Sequence, residues 1–205
     1  MDELLEHEKR LEDEALEVCT GLGLQHRLEE IGQPTIVGAV ALKVIDRRDI
    51  DITTACTMLD EPTRRRIAQL GGDLALHPDV RQVVVRDDTG RWNRDPQYPD
   101  GFYLGIHCRS PQANDWTLDL WFVDEPERQP DLAHLRRFGP SMSDETRGAV
   151  LGIKHVLRTS ADRGKPVPSL VIYQAVVEEG VRSFEQFERW LDFWCASNTP
   201  YSDSA

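Results

Sequence analysis

The apolar pattern of this chain stops supplying strands at about residue 125, and that change sets what the chain can fold into. Up to there, helical segments are interspersed with runs that are β-branched or alternate with polar residues at period two; after Pro126 apolar residues recur at helical spacing alone. Strands followed by helices predict an α+β fold: a mixed sheet of about five strands flanked by helices, then a C-terminal helical region. The expected division is an α/β core with an N-terminal helix over residues 1–125 and a helical domain over 126–205.

The front half supplies the elements in detail. Residues 2–20 carry Leu4, Leu5, Leu11, Leu16 and Val18 among many glutamates, an amphipathic helix that Gly21 and Gly23 interrupt. A short helical piece, 24–31, ends at Gly32. Pro34 opens a β-branched strand that runs into a turn at Gly38-Ala39. Asp49-Ile50-Asp51-Ile52-Thr53 alternates strictly and predicts a strand buried on one face. A helix over 62–75 begins with proline in its first turn. Strands are expected at 81–86, 101–108 and 116–123, with a polar loop over 87–100 between the first two. Helices are expected at 131–138, 144–159, 169–179 and 184–196.

Composition narrows the function classes. The 205 residues hold 36 Asp and Glu against 24 Lys and Arg, a formal charge of −12. That excess repels phosphate backbones, so a nucleic-acid partner is not expected. No run reaches the roughly 18 apolar residues of a membrane span, and the first residues are acidic where a signal peptide is basic, so a cytoplasmic protein and no membrane partner are expected. Cys19, Cys56, Cys108 and Cys195 form no CxxC pair and read as reduced thiols.

The chemistry-bearing pattern is Gly38-Ala39, nine residues, Asp49-Ile50-Asp51, then Asp119 inside the apolar strand Trp116-Thr117-Leu118-Asp119-Leu120-Trp121-Phe122. Residues two apart on a strand share a face, so Asp49 and Asp51 present their carboxylates together while Ile50 and Ile52 point to the core. Asp119 is an acid in surroundings where an unpaired carboxylate is costly to bury. Two carboxylates about 5 Å apart repel by about 3 kcal/mol at an effective dielectric near 20, so something positive belongs between them. Hard oxygen donors without His or Cys suit Mg²⁺, which takes one or two protein carboxylates and leaves its other positions to water and phosphates. Three such acids on adjacent strands can hold two Mg²⁺ for phosphoryl or nucleotidyl transfer. The Gly38-Ala39 turn lets backbone amides approach phosphates.

On these residues the chain resembles the DNA polymerase β-like nucleotidyltransferase superfamily, over about residues 34–124. Its pattern is Gly-Ser or Gly-Gly, a spacer of nine to thirteen residues, Asp-x-Asp or Asp-x-Glu, and a third acid on a later strand. The helical back half is similar in kind to that of the small antibiotic nucleotidyltransferases. The resemblance implies two Mg²⁺ ions and transfer of a nucleoside monophosphate from a nucleoside triphosphate, as in ATP, to a small hydroxyl acceptor, with release of pyrophosphate. It implies that Asp49 and Asp51 bind both metals and that Asp119 binds the catalytic metal and takes the acceptor's proton. Gly38 and Ala39 fall at the phosphate turn. Lys43 in the spacer and Lys154 on a back-half helix are the candidate cationic contacts to the phosphates. Ala39 lacks the hydroxyl of the family's serine, a loss of about 1.5–3 kcal/mol for a charge-assisted bond, or about ten- to a hundredfold in rate.

Alternative readings are a non-catalytic relative that binds nucleotide or protein, with the acidic N-terminal helix packing against a second copy in a homodimer, and a transferase acting on tRNA or protein, which needs a basic groove that the sequence does not show. Thr63-Arg64-Arg65-Arg66 reads as a solvated helix face. His107 and Cys108 point to opposite faces of one strand and cannot share a metal. Gly21-Leu22-Gly23-Leu24-Gln25-His26 has His where a dinucleotide fingerprint needs Gly. Trp190, Phe193 and Trp194 fall at helical spacing, as core or interface.

Overall fold

In the computed structural model, which describes residues 2–159 and 167–197, the front half builds a five-stranded mixed sheet. The strands are β1 (Gln33–Val37), β2 (Asp49–Ala55), β3 (Val80–Asp88), β4 (Gly101–Arg109) and β5 (Asp115–Val123), in spatial order β1-β2-β5-β4-β3. β3, β4 and β5 form an antiparallel meander, β1 pairs antiparallel with β2, and β2 and β5 run parallel at the centre. Chain neighbours are thus split: β5 inserts beside β2, so the strand that carries Asp119 lies against the strand that carries Asp49 and Asp51.

The two faces of the sheet differ as the period-two pattern requires. Ile50, Ile52, Leu118, Leu120, Phe122, Leu104 and Ile106 are buried on one face. They pack with helix α1 (Asp2–Gly21) through Leu11, Ala15 and Val18, with Leu22 in the turn that follows, with α2 (Leu24–Glu29) through Leu24 and Leu28, and with α4 (Glu61–Ala75) through Ile67, Leu70 and Leu74. The opposite face carries the acids. The stripe that α1 buries leaves Leu16 45% exposed, so that leucine does not join the core. Asp60 caps α4, accepting from the Thr63 backbone N–H at 3.0 Å, with Pro62 in the first turn.

One buried carboxylate ties α1 to the β4–β5 hairpin. Glu14 Oε1 accepts from the Ser110 hydroxyl (2.5 Å), the Asn114 amide (2.7 Å) and the Trp116 indole N–H (3.0 Å), and Arg48 stands 3.4 Å from Oε2. Burial pushes the Glu14 carboxyl up, but these three hydrogen bonds and Arg48 outweigh it and hold the carboxyl below its usual range.

Beyond β5 come α5 (Pro130–Phe138), α6 (Asp144–Thr159), α7 (Ser169–Tyr173) and α8 (Phe184–Ser197). Contacts divide the chain into two compact units, residues 7–140 and residues 1–6 with 141–205. In the second unit the helix expected over 169–179 is α-helical only to Tyr173; its continuation, Gln174–Glu178, has wider turns and stops at Gly180, whose φ is 69°. Trp190 stacks between Phe187 and Trp194, centroids 6.0 Å from each, while Phe193 is 72% exposed. No described helix is long and apolar enough to cross a membrane. The four cysteines are free.

Glu14→Ala leaves the Trp116 N–H buried without its acceptor, so unfolding free energy should drop by about 2–4 kcal/mol in urea titration, and Glu14→Gln should cost less.

Candidate functional site

Register decides where the acids meet. In the parallel pair Asp51 lies directly opposite Asp119, and Asp49 opposite Thr117, with strands separated by about 4.8 Å. Asp49, Asp51 and Asp119 therefore share the face away from the α1–α4 core, each partly exposed, with Asp51 and Asp119 between buried neighbours. Their immediate partners differ. Asp49 accepts from the Thr117 hydroxyl at 2.8 Å and has Arg47 at 3.5 Å. Asp119 accepts from the Tyr103 hydroxyl at 2.5 Å.

Gly38 closes on Asp51 from β1. It opens the four-residue turn α3 (Gly38–Ala41) with φ 63°, and a Cβ there would lie 2.2 Å from Asp51 Oδ2. Only glycine satisfies both the left-handed backbone and that approach. Ala39, the next residue, packs partly buried against the core.

A second glycine has the same role on the other side. Gly105 lies opposite Asp119 in the β4–β5 pair, and Tyr103 folds back over it: a Cβ at 105 would meet the Tyr103 hydroxyl at 2.5 Å and its ring at 3.0 Å. The missing side chain makes the space through which tyrosine reaches Asp119. The Tyr103 ring packs on Trp121 with centroids 5.1 Å apart, and the Arg86 guanidinium lies 4.5 Å from the first ring's centroid and 5.3 Å from the second's. Burial, then the bond to Asp119, pushes the Tyr103 hydroxyl well above its ordinary value and keeps it protonated.

A fourth acid joins from α5. Asp131, in the first turn of that helix, receives the Gln129 side-chain amide at 3.3 Å and is charge-coupled to Asp51 and Asp119. Sequence spacing gave no sign of it: it lies outside the sheet, and only the fold brings its helix over the acids. Tyr103 and Gly105 were equally silent, although their spacing of two did put them on one strand face. Burial, then the charges of Asp49, Asp131 and Asp119, pushes Asp51 up to about 7, with Arg47 acting weakly the other way.

Each of the two lysines meets a partner within its own compact unit. Lys43 Nζ is 3.9 Å from Glu12 of α1. Lys154 belongs to the second unit, where it is buried with its Nζ 5.5 Å from the Tyr173 ring centroid.

Among the described residues no three His, Cys, Asp or Glu side chains gather closely enough to enclose a metal. The donor set nonetheless fits Mg²⁺, which rarely takes an all-protein cage and binds through one or two carboxylates plus substrate phosphates. Three carboxylates on one sheet face with a fourth from α5, Asp51 among them raised to about 7 by burial and by the others, are the all-oxygen, electron-rich set that a hard divalent cation relieves.

The Asp51 carboxyl sets a pH dependence. Its folded pKa near 7 exceeds the unfolded value near 4, so unfolding releases a proton between them. In metal-free buffer, stability should fall by a few kcal/mol as pH rises from about 4 to about 7 and then level off. Asp51→Asn should remove this part of the decline in thermal unfolding measured across that range. Gly38→Ala should destabilise the fold by at least about 1–2 kcal/mol in the same assay, because alanine must hold a left-handed conformation against Asp51.

No family model matches this chain, and no curated protein does. Among solved structures it is similar to that of a cytoplasmic RNA terminal U-transferase, with 12% identity and a TM-score of 0.45 over 77% of this chain and 47% of the other. The chain thus spans about half the length of that structure.

Proposed function

We propose that the acid face is the active site of a Mg²⁺-dependent nucleotidyltransferase that moves a nucleoside monophosphate from a nucleoside triphosphate to a hydroxyl of a small acceptor. The observation that carries this reading is the register of β2 against β5, which sets Asp51 opposite Asp119 with Asp49 on the same face and the Gly38 turn against Asp51. That is the arrangement expected from the sequence's resemblance to the polymerase β-like superfamily.

Asp49, Asp51 and Asp119 would hold the metal, which when bound neutralises triphosphate charge and makes the acceptor hydroxyl more acidic. The remaining steps belong to the chain. The turn at Gly38-Ala39 presents backbone amides to the phosphates, with no side chain at Gly38 to obstruct them. Tyr103 fixes one oxygen of Asp119 by its hydrogen bond, leaving the other to take the acceptor's hydroxyl proton. The acceptor oxygen then bonds to the α-phosphorus, the bond from that phosphorus to the bridging oxygen breaks, and pyrophosphate leaves with the electron pair.

Pyrophosphate release measured with each of the four triphosphates and a panel of hydroxyl acceptors tests this. Wild type should turn over only with Mg²⁺. Asp49→Ala and Asp119→Asn should each lower the rate by about a thousandfold or more, and Tyr103→Phe by about ten- to a hundredfold with little change in KM for the triphosphate. Equal rates in wild type and Asp49→Ala would overturn the proposal. Triphosphate binding by calorimetry without pyrophosphate release would favour a non-catalytic relative.

A further inference from the structure

The two outer strands of the sheet, β1 and β3, differ in what they offer to another chain, and hydrogen-bond alternation shows how. A strand residue that exchanges bonds with one neighbour turns its N–H and C=O away from the other side. The Ser110 N–H donates to the Asn114 carbonyl at 2.9 Å, in the register that pairs even-numbered residues of β4 with β5. The Arg109 N–H donates to the Asp79 carbonyl at 2.8 Å, so the odd-numbered residues of β4 bond β3. Gly105 lies opposite Val84 and Tyr103 opposite Arg86, which leaves Val83, Val85 and Asp87 with N–H and C=O groups aimed out of the sheet. At the other edge the Thr117 N–H donates to the Arg48 carbonyl (3.1 Å) and the Cys56 N–H to the Val123 carbonyl (2.8 Å). Even positions of β2 therefore bond β5, odd positions bond β1, and Pro34 and Ile36 face outward. Proline has no N–H to give, so β1 is a blunted edge and β3 is an open one.

The flanks of β3 leave room for a further strand. Arg81, Gln82, Val84, Val85 and Arg86 are exposed, Val84 at 41% and Val85 at 49% although they point to opposite faces. The row of α4 that reaches β3 places Arg64 3.6 Å from Asp87, and a Cβ at Gly71 would lie 3.5 Å from both Val83 and Val85. That row continues through Ala68 and Ala75, both exposed and small.

Charge and bulk along the strand select the partner. β3 reads Val80-Arg81-Gln82-Val83-Val84-Val85-Arg86-Asp87-Asp88, with its acids gathered at one end. A bulge at Arg81 and the two arginines discourage pairing with an arbitrary strand. Laid antiparallel on a second copy of itself about Val84, the strand sets Val83 against Val85, Val84 against Val84 and Arg81 against Asp87. Moving the two-fold to 83, 85 or 86 sets valine against glutamine, arginine or aspartate instead. Asp87 keeps 36% of its side chain exposed beside Arg64, which leaves space for a second guanidinium. Arg86, already held by Asp88 at 2.7 Å, meets the neutral Gln82.

We propose that β3 is a dimerisation edge, at which two copies of this chain pair β3 antiparallel about Val84 and join their sheets into one of ten strands. The two-fold axis passes through the Val84 pair perpendicular to the sheet, so both acid faces open on the same side. This pairing is independent of the transferase reading. The short contact and the formal charge of −12 on each copy make the dimer a weak one.

Sedimentation equilibrium on the full chain tests it. Between about 1 and about 200 µM the chain should pass from monomer to dimer, with a Kd on the order of 10–100 µM. Val85→Pro removes an N–H that β4 does not use, so it should keep the wild-type circular dichroism and raise Kd by at least about tenfold. Arg81→Asp should weaken the dimer, and adding Asp87→Arg should restore it. In a Cys195→Ser background, Val84→Cys stands at the axis, where such a pair sets its Cα atoms about 4.5 Å apart, within disulfide reach. Oxidation should give a covalent dimer, and Gln82→Cys, opposite Arg86, should give none. The cross-link and the charge swap decide the matter even if Val85→Pro fails to fold. A chain that stays monomeric to about 200 µM leaves the edge to some other strand and overturns the proposal. So does a dimer that Val84→Cys does not cross-link, or one that neither Val85→Pro nor Arg81→Asp weakens.

Discussion

The parallel pairing of β2 with β5 is the constraint on which the rest of the site depends. It forces Asp51 and Asp119 into opposition at the centre of the sheet, where backbone hydrogen bonds fix the distance and neither side chain can be relocated without moving a strand. The like charges then act on everything around them. Asp51 holds its proton to near neutrality, Asp119 is steadied by a tyrosine hydroxyl, and glycine stands at both places where backbone or ring closes on the acids. Each accommodation costs something locally, and the opposite face of the sheet, with its aliphatic strand residues under three helices, compensates.

The sheet separates stability from chemistry by a single rule, the alternation of side chains. Ile50, Ile52, Leu118 and Leu120 are core because they are even-numbered on strands whose odd-numbered residues carry the acids. Glu14 shows that a carboxylate can also serve the other side. Buried beneath the β4–β5 hairpin, it is satisfied by three neutral donors and Arg48, and its carboxyl falls below its usual range where Asp51 rises above it. The contrast is one of partners rather than of depth: donors surround one carboxyl, and other acids surround the other.

How much could be read in advance follows from the same rule. Period-two alternation located Asp49, Asp51 and Asp119 on strands and on the polar side, and the five strands fell within a few residues of their expected bounds, because both are local properties of sequence. Which strands are neighbours is not local. Nothing in residues 101–109 says that β4 lies beside β5 at the register that opposes Gly105 to Asp119, so the Tyr103 contact could not be foreseen. From sequence Asp131 is only the start of a helix, and its part in the acid group depends on where α5 packs. The helix over 169–179 lost its regular turns after Tyr173, a change in hydrogen-bond ring size that apolar spacing does not report.

The insertion of β5 between β2 and β4 also dictates an order of assembly. Asp51 and Asp119 are 68 positions apart along the chain, whereas the β3–β4–β5 meander closes through short connections, so loop-closure entropy favours that meander first. The parallel seam then completes the sheet, and the like-charged carboxylates are brought together only when most of the core is already available to oppose their repulsion. A chain still emerging from the ribosome cannot present this cluster until residues past Val123 have cleared the exit tunnel, so the acid face is a property of the finished sheet and of no shorter fragment.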